Sequence, residues 1–223
     1  MILETVNVGV MQVNCYVLAC PACPACPAGG GVGGGASAQE KPAIIIDPGD
    51  QSSKIKLALK KHKLKPVMVI NTHGHYDHIG CDDEFGVTVY AHKLDLAMLQ
   101  DAGKNLSANY SSAFKVKSEI KTLEDKEIIK LDCLELEVIH LPGHTPGGIG
   151  LLMKKPQADI IFTGDTLFNR GIGRYDLEGG SYSQLEKAIK ERLFVLPPET
   201  IVYPGHGPST TIGEEKDNNL FRD

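Results

Sequence analysis

Four residues of ligand type fall within six positions at His73-Gly74-His75-Tyr76-Asp77-His78. The apolar run V-M-V-I-N-T leads into them and reads as a buried strand. In an extended segment residues two apart point the same way, so His73 and His75 share a direction. Asp77 and His78 follow where the chain leaves the strand. Such a loop offers one pair of side chains to one ion and the next pair to a neighbouring ion. A lone histidine on a strand is usually a core or surface residue; four ligand types packed this densely point to metal chemistry.

Three later segments have the same form, an apolar strand ending in a ligand-type residue. They are L-E-V-I-H-L-P-Gly143-His144, D-I-I-F-T-Gly164-Asp165 and T-I-V-Y-P-Gly205-His206. In each, glycine directly precedes the ligand, which permits a tight turn and removes a Cβ from a crowded place. The candidates are then His73, His75, Asp77, His78, His144, Asp165 and His206. Five histidines and two aspartates exceed one tetrahedral site but suit two divalent ions sharing a carboxylate. Zinc is the default occupant at neutral pH, and iron or manganese suit the same donors. Of the other histidines, His62 reads as a helix-surface residue and His92 as an element end. His140 fills a strand position, with support of a ligand as the alternative.

The positioning elements are legible as short Val- and Ile-rich runs. ILETVNV, QVNCYVLA, AIIID, VMVIN, VTVYA, LELEVIH, GIGLLM, DIIFTGD and TIVYPG all read as strands. LELEVIH alternates, as a half-buried strand should, whereas AIIID and VMVIN are apolar throughout, as strands covered on both faces should be. Helices are expected over Ser52–Lys63, Lys93–Asp101 and Ser181–Phe194, with a short last one after Thr211. Ser181/Gln184 and Thr211/Glu214 stand in capping-box spacing. Strands and helices in this order suggest two sheets faced by helices, an α/β layered sandwich. Ligands gathered at strand ends are where such a protein places its site.

The chain has 223 residues, 42% hydrophobic and 23% charged, with a net charge of −5. That is the composition of one globular α/β domain over residues 1–223. The acidic balance argues against a nucleic-acid partner, and no apolar run reaches the length of a membrane span. The N-terminus lacks the early basic residues and compact apolar core of a secretory signal, so a cytoplasmic location and reduced cysteines are expected. Cys20, Cys23 and Cys26 lie in a Cys/Pro/Ala/Gly-rich stretch, residues 20–42, between two strand-like runs. It reads as a long inserted loop; an iron–sulfur or soft-metal site would want a fourth nearby cysteine. Cys81 and Cys133 read as small buried residues.

The set His73-x-His75-x-Asp77-His78, Gly143-His144, Gly164-Asp165 and Gly205-His206 resembles the metallo-β-lactamase fold superfamily, block by block and over nearly the whole chain. The resemblance implies a four-layer αββα sandwich with two metals at one edge of the sheets. It implies that His73, His75 and His144 hold the first ion, Asp77, His78 and His206 the second, and that Asp165 bridges them. It also places Asp77 beside a metal-bridging hydroxide nucleophile, able to orient it or take its proton. Hydrolysis of a thioester or ester follows, because a thiolate with a pKa near ~8.5 leaves without a strong acid.

Within the superfamily, the loop Gly171-I-Gly173-Arg174-Y-Asp176 and the ending P-G-H-G-P-S-T-T are similar to short glyoxalase II-like hydrolases. That implies an S-(2-hydroxyacyl)glutathione as substrate, with Arg174 binding its glutathione part; a structural ion pair with Asp176 is the alternative role. The helical C-terminal domain that completes the glutathione pocket in longer enzymes is not expected after His206. Persulfide dioxygenases share the loop and use one iron on two histidines and a carboxylate, which would be His73, His144 and Asp165. Hydrolysis of another ester or lactone is a further alternative. True β-lactamases generally lack an aspartate like Asp165, and a purely non-enzymatic module would leave the ligand set unexplained. The partner expected is therefore a small-molecule thioester or ester.

Overall fold

The computed structural model describes residues 1–20, 40–110, 112–156 and 159–221. Most of the inserted stretch, with Cys23 and Cys26, lies outside the described residues.

The chain opens on a hairpin of β1 (Ile2–Val8) and β2 (Val13–Ala19), then β3 (Lys41–Ile46), α1 (Ser52–Lys61) and β4 (Leu64–Ile70). The short helix α2 (Tyr76–Ile79) precedes β5 (Val89–His92), α3 (Leu96–Leu99), α4 (Ser107–Tyr110) and β6 (Ile120–Leu123). These strands form one six-stranded sheet in sequential order, antiparallel through β3 and parallel from β3 to β6. The second half supplies β7 (Ile128–Leu131), β8 (Leu134–His140), β9 (Ile149–Lys155) and β10 (Ile160–Gly164). It continues with β11 (Leu167–Phe168), β12 (Gly171–Ile172), α5 (Tyr182–Ala188), β13 (Ile201–Pro204), β14 (Thr210–Thr211) and α6 (Ile212–Asn218). The second sheet runs β14-β13-β10-β9-β8-β7, and β11 and β12 pair by themselves.

The period-2 alternation of the strands sorts side chains into three apolar layers. On β2, Val13, Cys15 and Val17 meet Ile55 and Leu59 of α1, whereas Tyr16 and Leu18 face the second sheet. On β10, Phe162 joins Tyr16, Ile44, Ile46 and Leu136 between the sheets, while Ile161 packs with Leu185 and Ile189 beyond. Helix on sheet on sheet on helix is the expected four-layer α/β sandwich.

The sequence-expected strands fall within a few residues of those observed. Both capping residues act as such: Ser181 Oγ accepts from Gln184 N at 3.4 Å and Thr211 Oγ1 from Glu214 N at 3.2 Å. Some expectations need correcting. VMVIN is not covered on both faces, since Val67 is exposed on β4. Lys93–Asp101 is a single 3₁₀ turn over Lys93–Asp95 followed by α3, ending at Leu99. After α5 the backbone widens, Phe194 N reaching back to Ile189 O. Cys133 is not a lone buried thiol, and the reduced state does not hold for it: Cys20 and Cys133 form a disulfide with Cα atoms 5.7 Å apart. It ties the end of β2 to the β7–β8 turn, joining the two sheets across 113 residues of sequence. Cys15 and Cys81 are buried and free.

Candidate metal centre

The strand ends β4, β8, β10 and β13 deliver the seven ligand-type residues to one edge of the sandwich. Three groups arise whose ligand atoms all lie within 4.8 Å of one another: His73, His75 and His144; His73, His78 and Asp165; and Asp77, His78 and His206. Asp165 stands between them, with Oδ1 3.4 Å from His78 Nε2 and Oδ2 3.7 Å from His144 Nε2 and 3.5 Å from His206 Nε2. Asp77 Oδ2 lies 3.6 Å from His206 Nε2.

Four of the five rings turn one nitrogen inward and tie the other to a fixed partner. His144 Nδ1 meets Arg174 O at 2.7 Å, His206 Nδ1 meets Met11 O at 2.9 Å, and His78 Nδ1 meets Asp47 Oδ2 at 2.9 Å. His73 Nδ1 lies 3.1 Å from Thr72 Oγ1. A backbone carbonyl or carboxylate on the outer nitrogen forces the proton there and leaves the inner lone pair for a ligand. The inner nitrogens crowd one another: His75 Nδ1 is 2.9 Å from His144 Nε2, and His78 Nε2 is 3.3 Å from His206 Nε2. His73 Nε2 and Asp165 Oδ1 are buried with no hydrogen-bond partner. Converging lone pairs with orphaned buried atoms fit divalent cations and little else.

The electrostatics agree. Burial holds His73 well below the usual imidazole range and His75 down to about 3, so both rings are neutral donors. Burial also opposes charge on His78 and His206, yet the carboxylates of Asp165 and its acidic neighbours outweigh it and hold both above the ordinary range. Burial likewise opposes ionisation of Asp165, but His78 and the surrounding rings keep its carboxyl well below the usual value. Protons on His78 and His206 thus compete with an arriving cation.

The glycines before the ligands have the role expected of them. A Cβ on Gly205 would collide with Asp165 Oδ1, and one on Gly164, at φ 50°, with Thr72 Oγ1. Gly173 has a similar part in the later loop, where a Cβ would strike Asp165 O. That lets Arg174 O reach His144, so the Arg174 backbone touches the ligand set. Its guanidinium pairs with Asp176 at 2.9 and 3.0 Å, and Arg174 is among the residues lining the cleft over the site. His62 pairs with Glu4 at 2.9 Å, outside the site. His140 stacks on His92 with centroids 4.2 Å apart and meets Pro146 O at 2.9 Å, which steadies the His144 loop.

Two residues that the sequence reading did not single out hold this arrangement together. Asp47, fully buried just after β3 at φ 51°, accepts Thr72 N at 2.7 Å and Thr72 Oγ1 at 2.6 Å besides His78 Nδ1. It therefore anchors His78 directly and His73 through Thr72. Asp95 is also buried; Oδ2 accepts Gly74 N at 3.0 Å and Thr145 Oγ1 at 2.7 Å, and Oδ1 accepts Gly147 N at 2.6 Å. It clasps the His73–His75 turn to the His144 loop. The D-P-G after AIIID was the available signal for Asp47, whereas Asp95 lies in a stretch whose pattern carries none.

Asp95→Asn puts an amide against backbone and hydroxyl donors, each unsatisfied buried group costing about 1–3 kcal/mol. The expected outcome is metal affinity lowered roughly 10–100-fold in the His73/His75/His144 group alone, read by cobalt titration. Thr145→Val, which removes one donor, should show a smaller shift in the same direction. Equal loss in both groups would mean general loosening instead.

The cleft over the centre has a volume of about 430 Å³, with Tyr76, Tyr110, Phe168 and Leu177 as apolar walls and Arg174 at its rim. No helix among the described residues is long and apolar enough to cross a membrane.

YqgX, a probable metallo-hydrolase of Bacillus subtilis, is 37% identical over 80% of this chain and 86% of its own. The hydroxyacylglutathione hydrolase GloC of Haemophilus influenzae is 36% identical over 82% of this chain and 88% of its own. Among solved structures, the BLEG-1 B3 metallo-beta-lactamase superposes with a TM-score of 0.83 at 32% identity, covering 99% of both chains. TTHA1623 in a di-iron-bound form gives 0.77 at 33%, covering 98% of this chain and 100% of that one. ETHE1 from Myxococcus xanthus gives 0.73 at 27%, covering 99% and 84%. The family model described as metallo-beta-lactamase superfamily matches residues 37–206, which reach from before β3 to the last ligand-type histidine, and the chain belongs to that superfamily.

Proposed function

We propose that the protein is a metal-dependent hydrolase of a thioester or ester, with an S-(2-hydroxyacyl)glutathione as the reference substrate. The observation that carries this reading is the double ligand set sharing Asp165, with Asp77 beside it under a largely apolar cleft. His73, His75 and His144 would hold one cation, Asp77, His78 and His206 the other, and Asp165 both. Such a pair supplies Lewis acidity and an activated water when bound.

The chain's own residues do the rest. Asp77 lines the cleft; burial opposes its ionisation, but His78 and His206 pull it below the usual range, so it is ionised at neutral pH and suited to orient a water or accept its proton. Tyr76 and Tyr110, stacked with centroids 5.9 Å apart, wall off one side and exclude water from the reacting carbonyl. No carboxylic acid or imidazole among the described lining residues remains outside the ligand set to protonate a poor leaving group. A thiolate needs no such help, which favours a thioester over an amide. The likeness to GloC supports the glutathione thioester. Arg174, the one arginine or lysine among the described lining residues and paired with Asp176, is suited to a carboxylate on the thiol side.

The second reading, iron-dependent oxidation of a persulfide, draws on the likeness to ETHE1, and the di-iron form of TTHA1623 makes iron a candidate metal. Elemental analysis of purified protein alongside assays with S-lactoylglutathione, glutathione persulfide and a chromogenic β-lactam separates these. Two equivalents of metal and thioester turnover are expected. One equivalent of iron with oxygen uptake would replace the hydrolase reading, and β-lactam cleavage alone would align the protein with the activity in BLEG-1's name.

A further inference from the structure

A second cleft of about 560 Å³ opens beside the first and shares Met11, Tyr76, Asp77 and Tyr110 with it. One wall is the β1–β2 turn, with Val8, Val10, Met11 and Val13; the other is the end of α4, at Tyr110, with Phe114 beyond it. Gly49 and Gly80 add to the lining, and their backbones pack so closely that a Cβ on Gly49 would collide with Asp77 O and one on Gly80 with Gly49 O. Val10 is 95% exposed, Met11 53% and Tyr110 63%. Large apolar side chains left open at the mouth of a continuous groove are covered profitably by an apolar ligand.

Charge says which part of a ligand belongs there. The described lining of this cleft includes Asp50 and Asp77 and no lysine, arginine or histidine. Arg174, paired with Asp176, and His75, His144 and His206 stand in the other cleft, beside Asp77 and Asp165. An anionic limb therefore meets only carboxylates on the Val10 side and finds basic residues only on the Arg174 side, with the reacting carbonyl between them over the ligand set.

We infer that the Val10–Phe114 cleft seats the apolar acyl limb of the substrate, so that the preferred substrate class is a thioester of a medium-chain or similarly apolar acid. This rests on the thioester hydrolase reading. The step itself is plain hydrolysis: water adds to the acyl carbon, the C–S bond breaks, the thiol takes a proton, and no oxidant is needed.

The test uses zinc-loaded full-length protein and thioesters of N-acetylcysteamine. Burying methylenes in a half-open groove should raise kcat/KM about two- to threefold each, or about thirtyfold from acetyl to hexanoyl. Val10→Asp, at an exposed turn position that folding tolerates, and Phe114→Ala should each cut that ratio to about fivefold or less. A ratio near one in the parent protein, or an unchanged ratio in both variants, overturns the assignment. A gain on lengthening the thiol of an acetyl thioester instead of the acyl group overturns it too. Calorimetry with S-hexyl-N-acetylcysteamine, a thioether that cannot be hydrolysed, separates the cleft from the reaction. Binding that Val10→Asp weakens tenfold supports the cleft even if no thioester is turned over, which would sink only the hydrolase reading. Absence of binding to the parent protein sinks the cleft.

Discussion

Asp165→Ala is expected to lower kcat/KM by at least about a thousandfold and to leave no more than one equivalent of bound metal. The carboxylate faces three imidazole nitrogens within 3.7 Å, on both sides of the centre. Its removal takes the shared carboxylate from both sides at once and leaves His78 and His206 with Asp77, and His78 with Asp47, as the remaining negative charge that offsets their crowding. Because Asp165 directly follows β10 and its carboxylate packs against Gly205, truncation to alanine creates no clash, so the fold should survive. Circular dichroism and elemental analysis of the same preparation check this. Full turnover with two bound metals would refute the shared-carboxylate arrangement. The same logic gives His75→Ala a loss confined to the first group.

Asp47→Asn is expected to have the next largest effect, although Asp47 is not in any of the ligand groups. Its carboxylate takes three donors, Thr72 N, Thr72 Oγ1 and His78 Nδ1. An amide oxygen in the Oδ2 place keeps Thr72 Oγ1 and His78 Nδ1 but sets its NH2 against Thr72 N; in the Oδ1 place it keeps Thr72 N and sets its NH2 against the other two. Either way the neutral amide holds His78 more weakly than the carboxylate, and in the second orientation the outer proton of His78 has no acceptor and the ring can turn its proton inward, where a cation belongs. Metal affinity should fall about 10–100-fold at the His78 group, with a smaller fall at the His73 group, which is reached only through Thr72. Zinc titration against a competing chelator reads both steps. A parent-like affinity at both would mean that Asp47 merely fills space at the end of β3. Asp95→Asn, acting on the His73–His75 turn and the His144 loop, should show the reverse order, so the two variants together assign each clasp to its own side.

These two aspartates also mark where the sequence stops being readable. The seven ligand-type residues were legible because each closes an apolar strand and three of the four segments put glycine before the ligand, a pattern with a mechanical cause at Gly164 and Gly205. The sandwich was legible because strands such as Leu134–His140 alternate and because Ser181 and Thr211 announce their helices. β6 and β7 were not, since Ile120–Leu123 and Ile128–Leu131 are short strands with exposed residues and take their extended form from their neighbours. Nor was the Cys20–Cys133 bond, which depends on two sheets meeting in space. Asp47 and Asp95 act by hydrogen bonds to backbone that only the fold brings near, and no local spacing encodes that. The acyl cleft belongs to the same class: Val10 and Phe114 are unrelated in sequence and become walls only when the first turn and the segment after α4 line the same cleft.

The most direct measurement is a crystal structure of the metal-loaded protein with anomalous data collected at the absorption edge of the bound element. Two peaks are expected on either side of Asp165, one among His73, His75 and His144 and the other among Asp77, His78 and His206, each about 2.0–2.2 Å from its ligand atoms. A peak remote from Asp165, or none at full metal loading, would contradict the shared centre on which the function assigned here depends.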